Sequence, residues 1–253
     1  MSLNLHEAYD LTVVVPVFNE EESLPSLFQA LQQYQQHSAM RVCFLCVNDG
    51  SSDRSLELLK QQVANHEHFY YISLQQRTGL TGALKAGFHT ATTEWVGYID
   101  ADLQTFPEDF DLLWQKKDEG ELICGIRAKR HDSWSKKIQS KWANKIRNAV
   151  THDGFSDTNC PLKIMKTNLA QQWPLFSGMH RFLPALTLLF GKKVVAMPVR
   201  HQERKHGSSK FNFFNRAFSG ACDLLVFVWM RRRYRAPIIK DNNLEIDDEH
   251  RVA

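Results

Sequence analysis

Apolar runs and helical patterns alternate along the first part of the chain. Residues 11–15 and 42–47 are β-branched, apolar runs typical of fully buried parallel strands, and they end at Pro16 and at the polar stretch 48–50. Between them, residues 20–36 carry apolar side chains at the spacing of an amphipathic helix, namely Leu24, Leu27, Phe28, Leu31 and Tyr34. The pattern predicts a β-α-β unit.

The same alternation continues as far as residue 99. Residues 53–63 and 82–90 predict two further helices, residues 70–74 predict a short strand, and residues 95–99 predict a strand that ends at Asp100. Strands that alternate with helices are typical of an α/β domain with a doubly wound, mostly parallel sheet. In such domains ligands bind at the carboxyl ends of the strands, where the polar motifs of this chain also fall.

The second half of the chain is first basic and later apolar. Residues 127–148 interleave cations with aromatic residues, a pattern compatible with a solvated helix, a nucleic-acid face or an anion-binding arm. Residues 211–230 are apolar at helical spacing, with an arginine cluster behind them. Their uninterrupted apolar run, residues 224–230, is much shorter than the roughly 18 residues that span a bilayer. An in-plane interfacial helix and a helix that closes the core are the two interpretations.

Composition narrows the class of protein. The 253 residues suit one large α/β domain plus a tail, and a net charge of +3 is too small to indicate nucleic-acid binding. The five cysteines are scattered and odd in number, which favours a reducing compartment over a disulfide framework. The first 30 residues contain no apolar segment of signal-peptide length, so we expect a cytosolic protein.

An acidic pair follows the strand predicted at 95–99. Asp100 and Asp102 project to the same side if the extended conformation persists, and Gln104 has the same parity. Carboxylate and amide oxygens suit Mg²⁺ or Mn²⁺ bridging a diphosphate. Such a pair also occurs in plain surface turns, but its position behind a buried strand favours a ligand site.

Two other strand ends carry candidate nucleotide contacts. Asp49 could accept hydrogen bonds from a ribose or a base, although Gly50 and Asp53 could simply form a turn and a helix cap. Phe18, after the first strand, could pack on a base or could belong only to a turn. The stretch 79–82 matches neither standard nucleotide-phosphate loop.

Taken in order, these motifs resemble family 2 glycosyltransferases of the GT-A fold, in the branch of polyprenyl-phosphate (dolichol-phosphate-mannose-synthase-like) sugar transferases. The donor half carries V-V-V-P-V-F-N-E at 13–20, V-N-D-G-S-S-D at 47–53, G-L-T-G-A-L-K-A-G at 79–87 and Y-I-D-A-D-L-Q at 98–104. The acceptor half carries G-I-R at 125–127, D-T-N-C-P-L-K at 157–163, H-R-F-L-P-A-L at 180–186 and V-R-H-Q-E-R-K-H-G-S-S-K-F at 199–211. The resemblance spans residues 10–230.

The resemblance implies roles for individual residues. Those implied to hold the donor are Pro16, Phe18, Glu20, Asp49, Ala101 and Arg204; those implied to hold the metal and diphosphate are Asp100, Asp102 and Gln104. Arg127 is implied near the sugar and the acceptor phosphate, and Asp157 is the second acceptor-side catalytic candidate. Lys136 and Ser140 stand where the family places an arginine and a serine for the lipid phosphate, and Lys210 closes over the phosphates. Asn48 and Asn159 depart from the family pattern.

The resemblance also implies an organisation and a reaction. A catalytic domain occupies 1–205, with its donor half at 10–110 and its acceptor half at 111–205; amphipathic membrane-interface helices occupy 206–240 and a polar tail 241–253. The expected reaction is inverting, metal-dependent transfer from a UDP- or GDP-linked sugar to a polyprenyl phosphate, on the cytoplasmic face of a membrane. A separate membrane partner protein is an alternative to direct binding.

Two rival functions remain open at this point. The first is transfer to a hydroxyl of a glycan or other soluble acceptor, in which Asp157 would act as the base. The second is a non-catalytic nucleotide-binding or nucleic-acid-binding module that uses the basic segment 127–147. The expectation from the motifs is that no nucleic acid is bound.

Overall fold

The computed structural model describes residues 8–127, 147–155, 157–202 and 213–235, with the backbone alone for 213–219. Its strands are β1 (Leu11–Val17), β2 (Val42–Asn48), β3 (Phe69–Ser73), β4 (Trp95–Tyr98), β5 (Leu122–Arg127), β6 (Lys163–Lys166) and β7 (Val194–Val199). Its α-helices are α1 (Leu24–His37), α2 (Ser55–Asn65), α3 (Leu80–Thr90), α4 (Phe110–Trp114), α5 (Thr167–Gln172), α6 (Leu183–Leu189) and α7 (Phe213–Arg233), with a further helical stretch at 147–151. Short 3₁₀ turns occupy Pro107–Asp109, Lys117–Glu119 and Met179–Phe182.

The strands form one seven-stranded sheet in the order β3-β2-β1-β4-β6-β5-β7. The pairs β1–β2, β1–β4, β2–β3 and β5–β7 are parallel, whereas β6 runs antiparallel to both β4 and β5. The prediction of an α/β fold with a mostly parallel sheet is confirmed.

Apolar residues cover both faces of the sheet. In β1, Val13, Val15 and Val17 pack in one cluster with α1 and with Leu59 of α2, while Val14 packs in the other with α3, α5 and α6. The five residues predicted to form the inner face of α1 are all buried. Coverage of both faces explains why the central strands read as continuous apolar runs and not as alternating ones.

The position of Pro16 corrects the predicted end of the first strand. β1 continues through Pro16 to Val17, and Pro16 pairs with Val47 of β2. The backbone of Val14 points to the same side of the strand as that of Pro16, and its carbonyl accepts from the Ile99 N–H on the β4 side. The Val17 carbonyl accepts from the Asp49 N–H on the opposite, β2 side. The missing N–H of Pro16 therefore faces the β4 side, beyond the last β1–β4 pair at Val14 and Tyr98, so the proline costs the ladder no bond.

Helix α3 lies against β1 at a glycine. A β-carbon on Gly87 would lie 2.4 Å from Val14 Cγ1 and 2.9 Å from Cγ2. Alanine is the better helix former by about 1 kcal/mol, but the overlap forces the helix away from the sheet. We expect Gly87→Ala to lower the free energy of unfolding by about 1–3 kcal/mol in urea titrations.

A double variant separates that overlap from other causes. Val14→Ala removes the two methyl groups that the new β-carbon meets. Gly87→Ala should therefore cost less stability in a Val14→Ala background than in the wild type. Equal costs in the two backgrounds would contradict the packing explanation.

Candidate active site

The carboxyl ends of β1, β2 and β4 lie side by side and place three of the candidate residues at one edge. Val17 is in register with Asn48, and Val14 with Tyr98. The loop after β1 is tied to the loop after β2, since the Asn19 N–H donates to Ser51 Oγ (3.0 Å) and the Glu20 N–H donates to Ser55 Oγ (2.9 Å). Phe18, Asp49 and Asp100 therefore lie at the same edge of the sheet, called the candidate edge below.

Phe18 has a cationic partner that the sequence did not indicate. The guanidinium carbon of Arg77 lies 4.1 Å from the centre of the Phe18 ring. Arg77 belongs to the loop before α3, and that loop packs so closely that a β-carbon on Gly50 would lie 2.7 Å from the Arg77 nitrogen. Gly50 also has φ +66°, so both its backbone and its surroundings require glycine. The candidate edge thus combines an aromatic face with a positive charge.

Asp49 is buried and holds the loop before α3. Its carboxylate accepts from the Thr78 N–H (2.6 Å), the Thr78 hydroxyl (2.8 Å) and the Gly79 N–H (2.8 Å). All three donors belong to Thr78 and Gly79, which directly precede α3, so the carboxylate lies beside the N-terminal end of that helix. The contact of Asp49 with a nucleoside remains a prediction, and the structure adds a structural role for the same side chain.

The Asp100–Gln104 loop departs from the extended conformation that the sequence prediction assumed. Ala101 and Asp102 form a turn, and Leu103 has φ +55°, a left-handed conformation that costs a residue with a side chain about 1–2 kcal/mol. Exposure nevertheless alternates: Asp100, Asp102 and Gln104 are half-buried, while Ala101 and Leu103 are buried. The Gln104 N–H donates to Asp102 Oδ1 (3.2 Å).

The donor set of this loop fits a divalent cation that is shared with a ligand. Two carboxylates and one amide are hard oxygen ligands, suited to Mg²⁺ or Mn²⁺. Within the described residues, no group of three or more His, Cys, Asp or Glu side chains could hold a metal ion. A cation here would need further oxygens besides those of Asp100, Asp102 and Gln104, such as those of a diphosphate.

The two acceptor-side candidates form an ion pair with each other. Arg127 ends β5, and Asp157 precedes β6; Arg127 Nε and Nη2 each donate to one carboxylate oxygen of Asp157, both at 2.7 Å. The side chains are 12% and 7% exposed, so the pair is largely shielded from water. Bidentate pairing of this kind fixes the plane and direction of the guanidinium.

A buried lysine supports the turn after Asp157. Lys163 is fully buried, and its ammonium group donates to the carbonyls of Thr158 (3.1 Å) and Cys160 and lies 3.4 Å from the Tyr98 hydroxyl. Arg147 donates to the Thr158 hydroxyl (2.6 Å) from the other side. Lys163 thus connects the end of β4, just before Asp100, with the turn that carries Asp157.

Segment 178–182 connects α3 with α7. His180 Nδ1 lies 2.7 Å from Thr81 Oγ1, and Arg181 pairs with Asp223 of α7 (2.7 Å). Burial lowers the pKa of His180 to about 3, so its ring is neutral at physiological pH. The segment therefore links the last described helix to the first turn of α3.

Other candidates from the sequence lie outside the described residues, namely Lys136, Ser140, Arg204 and Lys210. Pro16 and Glu20 are described; the Glu20 carboxylate accepts from the Ser23 hydroxyl (2.6 Å). The structure brings Phe18, Asp49 and the Asp100–Gln104 loop to one edge and joins Arg127 to Asp157. No role was predicted for Arg77 or for Lys163 by itself, because their contacts with Phe18 and Tyr98 join distant parts of the chain.

Solved structures with the same fold include enzymes that use nucleotide sugars. Glucosyl-3-phosphoglycerate synthase from Mycobacterium tuberculosis, in complex with Mn²⁺, UDP and phosphoglyceric acid, is 12% identical with a TM-score of 0.67, covering 92% of this chain and 82% of that one. The same synthase with Mg²⁺ and UDP has a TM-score of 0.65 at 12% identity, covering 91% and 83%. S. aureus TarS (residues 1–349) has a TM-score of 0.57 at 13% identity, covering 96% and 68%. At these identities the likeness establishes the fold.

The family follows from the sequence match. The model of the family described as "Glycosyl transferase family 2" matches residues 12–178, more than half of the chain. That span includes β1 to β6, the Asp100–Gln104 loop and the Arg127–Asp157 pair. The chain therefore belongs to glycosyltransferase family 2, as the resemblance of its motifs predicted.

Proposed function

We propose that this chain is an inverting, metal-dependent hexosyltransferase that moves a sugar from a nucleotide donor to a polyprenyl phosphate. The observation that carries the donor half is the convergence of Phe18, Asp49, Asp100 and Asp102 at one sheet edge. The related synthase was solved with UDP and with Mn²⁺ or Mg²⁺, which supports a nucleotide sugar and a divalent cation here too. We propose a UDP- or GDP-linked donor.

The residues at the candidate edge have proposed tasks. Asp100 and Asp102 would hold the cation, with Gln104 offering a third oxygen, and Phe18 would stack on the base. When bound, the cation neutralises the charge that develops on the departing diphosphate. Arg127, fixed in direction by Asp157, would hold the acceptor phosphate near the anomeric carbon. The protein thus has to bring together the donor diphosphate and the acceptor phosphate, which repel each other. Fixed positive charges serve this purpose better than a strong base does.

The acceptor phosphate, as the nucleophile, needs no general base from the protein. A phosphate monoester has a second pKa of about 6, so most of the acceptor is a dianion at neutral pH. It can attack in a single in-line displacement that inverts the anomeric carbon, without losing a proton to the protein. Both Asp157 oxygens are engaged by Arg127, which favours a positioning role for this carboxylate over a base.

Transfer to a soluble acceptor is the second candidate. It is favoured by the synthase of the same fold, whose name and bound phosphoglyceric acid indicate a small phosphorylated acceptor. In that reaction a hydroxyl attacks, and a carboxylate such as Asp157 would have to take its proton.

The exposed face of α7 favours the lipid acceptor. Phe227 is fully buried and stacks on Phe182 with ring centres 5.1 Å apart, which attaches the helix to the body of the protein. Leu225 (70% exposed) and Trp229 (62% exposed) lie one turn apart on the outer side, and Arg231, Arg232 and Arg233 follow. An apolar face beside a cationic end suits the interface of an anionic membrane. Within the described residues, no helix is long and apolar enough to cross a bilayer.

We propose a peripheral position on the cytoplasmic face of a membrane. The five free cysteines fit a reducing compartment. A separate membrane protein could share the surface of α7. In that case, binding to pure lipid vesicles would be weak, whereas binding to native membranes would persist.

Substitutions on the outer face of α7 test membrane docking. A fully buried Leu side chain contributes at least about 1.5 kcal/mol, and about 1.4 kcal/mol corresponds to a factor of ten in partitioning. The double variant that combines Leu225→Gln with Trp229→Gln should therefore lower the ratio of vesicle-bound to free protein, in sedimentation with anionic vesicles, by at least about tenfold. Cys222→Ser, one turn earlier on the same helix, changes little apolar area and serves as the control. A wild type that stays in the supernatant both with anionic vesicles and with native membranes would favour the soluble acceptor.

A donor and acceptor screen tests the function as a whole. Thermal shift with a panel of UDP- and GDP-linked sugars, with Mn²⁺ or Mg²⁺, identifies the donor. Transfer from that donor to a short polyprenyl phosphate, and in parallel to phosphoglyceric acid and to free glycans, then identifies the acceptor. Product on the polyprenyl phosphate alone is the expected result, and product on a hydroxyl acceptor alone would overturn the lipid assignment.

A further inference from the structure

Gln202 bonds two consecutive carbonyls of the Asp100–Gln104 loop. Its backbone N–H donates to the Gln104 carbonyl (2.9 Å), and its side-chain Nε2 donates to the Leu103 carbonyl (2.7 Å). We propose that Gln202 is a positioning residue that holds this loop in the shape that binds the cation. The inference rests on the proposed function of Asp100 and Asp102 as cation ligands.

The loop needs an external support because of its conformation. Leu103 has φ +55°, which residues with a side chain seldom adopt, and its side chain is buried among the core residues on one side of the sheet. The Leu103 side chain is fixed by its packing in the core, and the Leu103 carbonyl is fixed by the hydrogen bond from Gln202 Nε2. An unusual conformation beside candidate ligands persists only where the surroundings impose it. The Gln202 amide is such a constraint.

The backbone near Gln202 is itself held in place by the contacts of Arg200. Two residues earlier, Arg200 donates from its backbone N–H and from Nε to the two carboxylate oxygens of Asp109, each at 2.7 Å. The Arg200 guanidinium also lies 4.5 Å from the centre of the Phe106 ring. The segment after β7 is therefore attached to Phe106 and to the 3₁₀ turn Pro107–Asp109, which follow the Asp100–Gln104 loop along the chain. Gln202 can thus resist rotation of the loop.

Loss of the amide should act on cation binding more than on the chemical step. Without it, Leu103 can relax toward commoner backbone conformations, and this rotation changes the directions of Asp102 and Gln104 on either side. A saturating cation can pull the ligands back, since it binds only the ordered loop. We therefore expect a higher cation requirement with a smaller change in maximal rate.

The experiment compares Gln202→Ala and Gln202→Glu with a matched glutamine elsewhere. Gln171 also uses Nε2 to bond two carbonyls, those of Phe88 and Ala91 (both 3.1 Å), at the other end of α3. In the full chain, Mn²⁺ binding is measured by calorimetry with UDP and, in parallel, with GDP. Hydrogen exchange of residues 100–105 is measured in the metal-free protein, and transfer is measured across a Mn²⁺ titration.

The Gln202 variants should raise the apparent Kd for Mn²⁺ at least fivefold and accelerate exchange at 100–105 at least fivefold. At saturating Mn²⁺ their rate should return to within about threefold of the wild type. Gln171→Ala should change the Mn²⁺ constant less than twofold. If the wild type requires Mn²⁺ and the Gln202 and Gln171 variants behave alike, the positioning role is overturned while the proposed function stands. If the wild type neither binds nor requires a divalent cation, both are overturned.

Discussion

Asp102→Asn should lower sugar transfer about 1,000-fold while leaving the fold intact. Asp102 is half-buried in a turn, and its Oδ1 accepts from the Gln104 N–H, a bond that the asparagine oxygen can keep. What the variant loses is the negative charge that we propose binds a divalent cation next to the diphosphate. At about 1.4 kcal/mol per factor of ten, the expected loss corresponds to about 4 kcal/mol of transition-state stabilisation. Asp102→Ala should be at least as severe.

Two measurements accompany this variant. Thermal unfolding without metal should match the wild type, whereas the stabilisation by Mn²⁺ with UDP or GDP should disappear. Asp118→Asn is the matched control, because it removes a carboxylate that is 86% exposed and pairs only locally with Lys117. Near-normal turnover of the Asp102 variant at saturating metal would contradict the assignment of this loop as the cation site.

The strands and helices were predictable because their signals are local. Continuous apolar runs mark strands buried on both faces, and the helical spacing of Leu24 to Tyr34 marks the inner side of α1. The predicted helix start at residue 20 was early by four positions, because residues 21–23 form a turn and Pro25 lies in the first helical turn. Pro16 was predicted to end β1, since a proline has no N–H to donate to a neighbouring strand. That this N–H would face a side without a paired residue is known only from the sheet order.

The arrangement of the candidate site was predictable only in part. The acidic pair lies after a buried strand as expected, but the extended conformation assumed for it fails at Leu103, whose left-handed backbone is held by a residue 99 positions away along the chain. The stacking of Arg77 on Phe18 also depends on a long-range approach. Lys163 ends the motif at 157–163, but its burial and its bonds to the carbonyls of a turn were not predicted, because a lysine in a strand is rarely buried. The sequence thus identified candidate site residues by their chemistry, but it did not identify the residues that hold them in place.

Asp157→Asn should lower transfer about 100-fold and yet keep the pH dependence of the reaction. Asparagine can accept one bond from Arg127 but turns an N–H toward the guanidinium, so the bidentate pair that fixes the direction of the guanidinium is lost. If the acceptor phosphate is the nucleophile, the rate rises with pH as its dianion forms near a pKa of about 6 and then levels off. That limb belongs to the substrate and should therefore persist in the variant.

Arg127→Lys separates the charge of the pair from its geometry. Lysine keeps the positive charge but cannot form two parallel bonds to Asp157, so its transfer rate should fall about as far as that of Asp157→Asn. Arg127→Leu should be worse in both rate and stability, because it leaves a carboxylate that is 7% exposed without this partner, and breaking a buried pair costs about 3–5 kcal/mol. Loss of the limb near pH 6 in Asp157→Asn, with the limb intact in Arg127→Lys, would instead identify Asp157 as the base. That outcome would favour a hydroxyl acceptor over the lipid phosphate, since a phosphate dianion carries no proton to remove.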